Sequence, residues 1–510
     1  MASSLYAPRV PIFPRRVSGF YRRLKWQIMA LTLAVYYLTP LLRWDRGPAL
    51  PDQAVLVDLA NRRFYFLWIE IWPHEFYFVA GLLIMAGLGL FLFTAALGRV
   101  WCGYTCPQTV WTDLFLLVER RVEGDRNARL RLHQAPWSAR KARLRLTKWT
   151  LWLVISVLTG GAWVFYLADA PMLARDLATF SAPPVAWATI ALLTATTFTF
   201  GGFMREQICI YACPWPRIQG AMMDEGTLTV AYRDRRGEPR GRGLKRKGGK
   251  VEAPQEVTRA AGPQIGGRSP VLPLQIREGR AVLGAAPGAG AEGPGDCIDC
   301  NACVNVCPMG IDIRDGQQMA CITCALCIDA CDEVMEKVGR PRGLIDYVAL
   351  SDAGAEQAEE TPLRRSVLRP RNILYFGLWA AIGAGLIAAL LLRPMLQLTV
   401  APVRNPTFVT LSDGSIRNAY DLRLRNREGA AQEIALTLEG PEALVLSVEG
   451  AGTEAVPVQA DTQRAIRVYV TAAPGTAPAE AARTGFEIAA RDAMTGETAR
   501  IATTFTGEAR

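Results

Sequence analysis

Eight of the twelve cysteines stand in two runs with the same internal spacing: Cys297, Cys300, Cys303 and Cys307, closed by Pro308, and then Cys321, Cys324, Cys327 and Cys331. A segment that must gather eight thiols in sets of four has little backbone freedom left. Three thiolates at C-x2-C-x2-C spacing wrap one cubane iron–sulfur cluster, and the fourth cysteine, after three intervening residues, reaches across to the other cube. The expected pairing is therefore crossed. Cys297, Cys300, Cys303 and Cys331 would hold the first [4Fe-4S] cluster, and Cys321, Cys324, Cys327 and Cys307 the second. The implied chemistry is one-electron transfer. Structural zinc also takes four thiolates but rarely needs the third, equally spaced cysteine, and a disulfide framework belongs to oxidising compartments.

The remainder of the chain is half apolar with a formal net charge of +10, the balance of a membrane protein with basic inner loops. Five stretches are expected to span a bilayer, which takes about 20 helical residues: Leu24 to Leu42, Tyr77 to Leu97, Trp149 to Ala168, Val185 to Met204, and Ile373 to Leu392. The fourth is diluted by Thr194, Thr196, Thr197 and Thr199. Arg9, Arg15, Arg16, Arg22, Arg23 and Lys25 precede or open the first span, and eleven basic residues lie between Arg99 and Lys148. The alternate loops are poorer, with four arginines offset by acids between Arg43 and Phe76, and Arg175 alone after the third span. Positive residues are retained on the cytoplasmic side, so the N-terminus and both cluster runs are expected inside and residues after Arg393 outside. No cleavable signal peptide is read from the N-terminal stretch.

The expected fold class is a multidomain membrane protein: a five-span α-helical bundle, a cytoplasmic ferredoxin-like domain with two [4Fe-4S] clusters, and a C-terminal all-β immunoglobulin-like sandwich. The boundaries are a cytoplasmic segment over 1–23, a four-span domain over 24–232, a Gly/Pro/basic linker over 233–295, the cluster domain over 296–350, a linker over 351–372, the last span over 373–392 and an outer sandwich over 393–510. The first linker lacks the residues to bury a core and reads as a flexible tether; its basic part, Arg240 to Lys250, reads as a solvated charge run. In the outer domain, apolar alternation marks strands at Phe408 to Leu411, Tyr420 to Leu424, Ile434 to Leu438, Ala465 to Val470, Phe486 to Ala490 and Ile501 to Phe505, with turns between.

The other four cysteines form two C-x3-C-P pairs at span ends: Cys102 and Cys106 before Pro107, and Cys209 and Cys213 before Pro214. In a continuing helix, residues four apart share a face, and the proline stops that helix or opens another. The two copies read as an internal repeat. Four thiols gathered at the membrane surface could bind Cu(I), hold a further iron–sulfur or zinc site, or cycle between dithiol and disulfide; buried cysteines that merely pack are the plain alternative. His74 falls in an interfacial aromatic belt and His133 in a basic loop. Glu70, Glu75 and Glu206 flank the spans and are expected to face headgroup water, and Met222 and Met223 to pack.

With these features the chain resembles the cytochrome c oxidase accessory protein family, CcoG/FixG. The resemblance rests on the run from Gly295 to Tyr347, on WCGYTCPQTVW from Trp101 to Trp111, and on CIYACPWPRIQGAM from Cys209 to Met222. The long Gly/Pro insertion near Val251 to Gly295 departs from the pattern without removing a cysteine. The resemblance implies a protein needed to assemble cbb3-type haem–copper oxidase, with a proposed cupric reductase activity in the bacterial inner membrane. Cys102, Cys106, Cys209 and Cys213 are then the expected catalytic and copper-binding set. The expected partners are membrane lipid, a cytoplasmic or quinol electron donor, and copper-delivery and oxidase-assembly proteins; no nucleic acid is expected, and self-association stays open. A quinol-linked relay without copper chemistry and a non-catalytic assembly scaffold are the competing functions.

Overall fold

The computed structural model describes residues 11–46, 50–241, 275–277, 280–282, 295–349, 367–427, 430–450, 456–460 and 462–508. The chain divides into two compact units, Met1–Leu41 with Val55–Gly383, and Leu42–Ala54 with Ala384–Arg510.

In the first unit, the unbroken apolar run Phe76–Leu97 gives a 22-residue helix, and Gly98, at φ +67°, ends it. A side chain at Gly98 would also stand 2.9 Å from the carbonyl of Leu228. Among the described residues, three helices are long and apolar enough to cross a membrane: Phe76–Leu97, Pro184–Phe203 and Pro370–Leu391. The other two expected spans fall on long helices, Phe20–Leu38 and Ala139–Val164, but both carry basic residues in their first half. Among the described residues, three of the five expected spans therefore meet the test of length and hydropathy.

The Ala139–Val164 helix packs on Pro184–Thr197 at Gly160, where a Cβ would meet the carbonyl of Ile190 at 2.9 Å. Small residues allow such close backbone approach between apolar helices. Trp152 is fully buried, stacked on Phe115 at 5.2 Å and edge-on to Phe203 at 5.8 Å. Beside this aromatic core, Glu119 collects three cations, Arg129 at 2.6 Å, Arg205 at 2.7 Å and Lys148 at 3.4 Å, and so ties together segments distant in sequence.

The cysteine runs belong to this same unit. Leu228–Tyr232 and Ile345–Ala349 pair as an antiparallel ribbon, from Leu228 opposite Ala349 to Tyr232 opposite Ile345, and bracket the short helices Ala302–Val306 and Leu326–Lys337. Part of the expected tether is folded: Asp234–Gly237 form a helical turn, Arg236 Nε donates to Asp296 Oδ2 at 2.6 Å, and the Gly241 amide donates to the carbonyl of Cys297 at 2.9 Å. Gln275–Arg277 and Arg280–Val282 form a small hairpin. Residues 242–274, 283–294 and 350–366, which hold the rest of both expected linkers, lie outside the described residues.

The second unit contains a two-sheet sandwich. One sheet runs in the order Leu444–Val448, Gln463–Ala472, Ile416–Asn426, Leu396–Pro402, with Val409–Thr410 added on Ile416–Asn426; the other runs Val456–Val458, Gln432–Glu439, Thr484–Asp492, Thr498–Phe505. Side chains alternate along each strand, so Ile416, Tyr420, Leu422 and Leu424 point inward and meet Ile434, Ile488 and Phe505 of the facing sheet. The buried Tyr420 hydroxyl donates to the carbonyl of Thr504 at 2.8 Å. The six expected strands are present, with Leu396–Pro402, Leu444–Val448 and Val456–Val458 in addition.

Candidate functional site

The repeated spacing of the cluster runs is matched by repeated backbone geometry. Asp299 and Asn301 flank Cys300 at φ +52° and +54°, and Thr323 and Ala325 flank Cys324 at +54° and +58°. Left-handed conformations cost non-glycine residues about 1–3 kcal/mol each, most for a β-branched residue such as Thr323. Bending on both sides of the middle cysteine turns three successive thiols of each run toward one centre, and the following helix carries the fourth position away to the other centre.

Two cavities result. Cys297, Cys300, Cys303 and Cys331 line the first, with Tyr232, Met335, Leu344 and Ile345 as walls. Cys307, Cys321, Cys324 and Cys327 line the second, with Val230, Ile311 and Ile313; Cys303 borders both. The expected crossed sets thus stand around separate cavities that share a wall. Burial pushes the Cys303, Cys307 and Cys331 thiols up to about 12 and Cys321 to about 11, against an ordinary value of 9. Thiolates packed so closely need the positive charge of iron. Among the described residues no group of three or more His, Cys, Asp or Glu side chains is placed to hold a single metal ion. Arg314, which donates to Asp299 and Asp312 at 2.8 and 2.7 Å, closes the edge of the first cavity.

The C-x3-C-P pairs lie at helix junctions. Cys102 is in the short helix Val100–Tyr104, and Cys106 caps the helix Pro107–Val122, with the proline at its first position. Cys209 lies in a π-helical turn, Ile208–Ala212, and Pro214 caps the helix Trp215–Met222. A second such turn, Phe198–Phe203, precedes the pair, so extra backbone is inserted both before and within it, a device common at functional sites. The structure brings the four thiols into mutual electrostatic range. Burial raises Cys102 to about 12, reinforced by Cys106, Cys209 and Cys213, and raises Cys209 to about 12, reinforced by Cys106 and Cys213. The Cys102 thiol donates to Gln219 Oε1 at 3.0 Å.

The two cysteine sets are in contact through backbone. Arg99 Nη1 donates to the carbonyls of Met319 at 2.5 Å and Cys321 at 3.3 Å, and Nη2 reaches Met319 Sδ at 3.1 Å. The Tyr104 hydroxyl donates to the carbonyl of Cys324 at 3.3 Å. Between them, Gly103 leaves no room for a side chain: a Cβ would lie 2.7 Å from the carbonyl of Ile322 and 3.1 Å from Cys324 Cα. On the opposite side, the Asp329 carboxylate accepts the backbone amides of Arg22 at 2.7 Å and Tyr21 at 3.2 Å. Arg22 in turn holds the buried Asp113 at 3.0 Å. The cluster runs are therefore docked on the helical part of their unit, where the composition of the neighbouring linker suggests a free tether.

The remaining sequence candidates divide. Glu206, expected to face headgroup water, is buried beside Cys209 because the π-helical turn carries it inward. Glu75 caps the amide of Trp72 at 3.1 Å, Glu70 pairs with Arg63 at 3.1 Å, Met222 is buried in packing, Met223 is partly buried, and His133 is exposed. The side chain of His74 lies outside the described residues. Arg99, Gly103, Tyr104, Gln219, Arg314 and Asp329 are site residues that spacing does not single out, although Gly103 and Tyr104 sit within the WCGYTCP run.

Comparison with known proteins agrees with this geometry. A family described as "4Fe-4S dicluster domain" matches residues 204–266 and 283–350, one described as "4Fe-4S binding domain" matches 78–123, and one describing the immunoglobulin-like fold at the C-terminus of FixG matches 386–508. Protein RdxA of Cereibacter sphaeroides is 60% identical over 97% of this chain and 96% of its own length. Protein RdxB of the same organism is 59% identical over 99% of this chain and 98% of its own. Nitrogen fixation protein FixG of Rhizobium meliloti is 51% identical over 97% and 92%.

Proposed function

The chain belongs to the FixG-type polyferredoxin family, and from that premise we propose that it reduces Cu(II) to Cu(I) at Cys102, Cys106, Cys209 and Cys213 during assembly of a cbb3-type cytochrome c oxidase. It is an iron–sulfur electron-transfer protein. Bound clusters supply one-electron carriers, and the chain's part is to hold and align them. Cys297, Cys300, Cys303 and Cys331 hold one, and Cys321, Cys324, Cys327 and Cys307 the other.

The contact of Gly103 with Ile322 and Cys324 carries this reading, because it leaves one layer of backbone between the second cavity and the thiol at Cys102. Arg99 and Tyr104 fix that layer. Copper suits these thiols as substrate: each Cu(II) takes one electron, and the Cu(I) formed prefers soft thiolates, of which a pair is enough to hold it. The five-span topology, with the N-terminus and clusters in the cytoplasm and the sandwich in the periplasm, belongs to the same proposal and rests on the distribution of Lys and Arg. The sandwich then docks copper-delivery or oxidase-assembly proteins on the outer side.

A second reading has its own support. The family described as "4Fe-4S binding domain" spans Cys102 and Cys106, so the four thiols could hold a further iron–sulfur cluster. Counting iron and copper per chain, together with electron paramagnetic resonance of the reduced protein, separates the two. Stoichiometric anaerobic reduction of Cu(II) by cluster-loaded protein, lost when all four cysteines become serine, supports the copper reading; an unchanged rate in that variant sinks it.

A further inference from the structure

A cavity of about 1520 Å³ opens beside the docked cluster runs. Leu24 and Ile28 from Phe20–Leu38, Leu90 and Phe93 from Phe76–Leu97, and Trp379 from Pro370–Leu391 make its apolar walls. Its other end lies against the Ile345–Ala349 strand and is polar, with Tyr21, Tyr104, Tyr347, Arg236 and Asp346. Two of these tyrosines also hold the second cluster loop: Tyr104 donates to the carbonyl of Cys324 at 3.3 Å and Tyr347 to the carbonyl of Thr323 at 3.0 Å. One side chain therefore separates the polar end of the chamber from a cluster cysteine.

We propose that this cavity binds a quinol, with its ring at the tyrosine end and its isoprenoid tail between the apolar helices, and that this quinol supplies electrons to the cluster held by Cys321, Cys324, Cys327 and Cys307. The cavity exceeds the roughly 300–1,000 Å³ of an ordinary small-molecule pocket, as a long tail requires. An apolar chamber that also carries a polar group of residues, Arg233 to Arg236 with Asp346 and Tyr347, suits a lipophilic molecule with a hydrogen-bonding head. The Tyr347 hydroxyl, whose proton goes to the Thr323 carbonyl, can still accept from a quinol O–H, with the Tyr21 ring 5.6 Å away, and the cluster cysteine behind it gives the bound molecule a reason to be redox-active rather than structural.

The chemistry balances. Oxidising one quinol breaks two O–H bonds, forms two ring carbonyls and releases two electrons and two protons. The electrons leave singly toward Cys324, and the two protons are released to water at the polar mouth. With copper as the final acceptor, one quinol and two Cu(II) give one quinone, two Cu(I) and two protons. The acceptor rests on the copper reading; the binding site and the first transfer do not.

The test uses the full, cluster-loaded chain in phospholipid nanodiscs without copper. Trp101, Trp215 and Trp379 line the cavity, so decylubiquinone should quench indole fluorescence saturably, and decylubiquinol should bleach the visible cluster absorbance. Gly87 also lines the cavity and has nothing within 4 Å of a Cβ position, so Gly87→Phe fills the chamber without moving backbone. That variant should bind quinone about ten-fold or more weakly and lose reduction by quinol, while dithionite still reduces it. Absence of saturable quenching in the native chain, a measurement that needs no variant, overturns the proposal. So do equal quenching and reduction in Gly87→Phe, or displacement by a plain isoprenoid alcohol without any cluster bleaching, which would make the occupant a lipid. Cluster reduction by quinol followed by no reduction of added copper leaves the donor site standing and refutes the copper reading.

Discussion

The hydroxyl of Tyr104 reaches the carbonyl oxygen of Cys324 at 3.3 Å, which ties a residue two places after a membrane-end cysteine to the middle cysteine of the second cluster run. With Gly103 pressed against the same loop, the distance between the two thiol sets is set by backbone contact. Side chains could not maintain it as closely.

Gly103→Val should therefore separate the sites. Its Cβ would stand 2.7 Å from a backbone carbonyl that cannot rotate away, and overpacking of this kind costs about 1–3 kcal/mol. Cluster content should be unchanged, while single-turnover reduction of Cu(II), followed by stopped flow, slows several-fold. A native rate would mean that electrons take another path.

Arg99→Gln removes two donations to the Met319 and Cys321 carbonyls and one to the Met319 sulfur. Hydrogen bonds from charged groups contribute about 1.5–3 kcal/mol each. The loop from Met319 to Cys321 should become accessible to protease and the second cluster more easily lost to a chelator, with the first cluster unaffected.

Crossed ligation predicts a pattern of non-additivity. Cys331→Ser and Cys297→Ser should each remove the same half of the bound iron, and the double variant should remove no more. Cys331→Ser with Cys321→Ser should remove nearly all of it. Iron analysis and Mössbauer spectra check this, since changes that act on one unit do not add. Equal losses in the two double variants would reject the crossed sets.

Glu119 gives stability a pH dependence. Burial alone would raise its carboxyl, but Arg205, Lys148 and Arg129 overcome this and hold it at about 2, below its ordinary 4.5. A carboxyl depressed in the folded state stabilises fully above its unfolded value. The contribution, about 3 kcal/mol by linkage, is then lost as pH falls from 4.5 towards 2. Glu119→Gln should leave three buried cations short of a partner, costing about 3–5 kcal/mol at neutral pH. It should also flatten the acid limb measured by thermal unfolding between those pH values.

Leu422→Ala truncates a fully buried side chain in the sandwich and should cost about 2–5 kcal/mol of that unit's stability. Copper reduction by purified protein should be unaffected. Loss of reduction along with the sandwich would favour the scaffold function over the reductase.

What could be read from the sequence follows from what has a period. The C-x2-C-x2-C spacing is local and repeats 24 residues apart, so the two cluster runs from Cys297 to Cys331 could be read directly. The alternation at Tyr420, Leu422 and Leu424 marked a strand in the same way. Docking left no such trace. It depends on single polar residues, Arg99, Asp113 and Asp329, each answering a partner many residues distant, and on one glycine without a side chain. Glu206 is buried, against the expectation from a regular helix, because a π-helical turn shifts the face that the segment presents. The linker composition suggested freedom because Gly and Pro carry no core, yet the ribbon that anchors the module lies in the flanking residues. Basic first turns on Phe20–Leu38 and Ala139–Val164 similarly separate helix length from apolar length.

The Leu228–Tyr232 and Ile345–Ala349 ribbon has a further consequence. It places the entry and exit of the cysteine-rich excursion side by side, the geometry in which one domain is most easily spliced into another. Seen this way, the excursion is a cassette. A helical thiol site and a ferredoxin could be joined by one insertion into a loop, with the paired strands as the neck of the cassette.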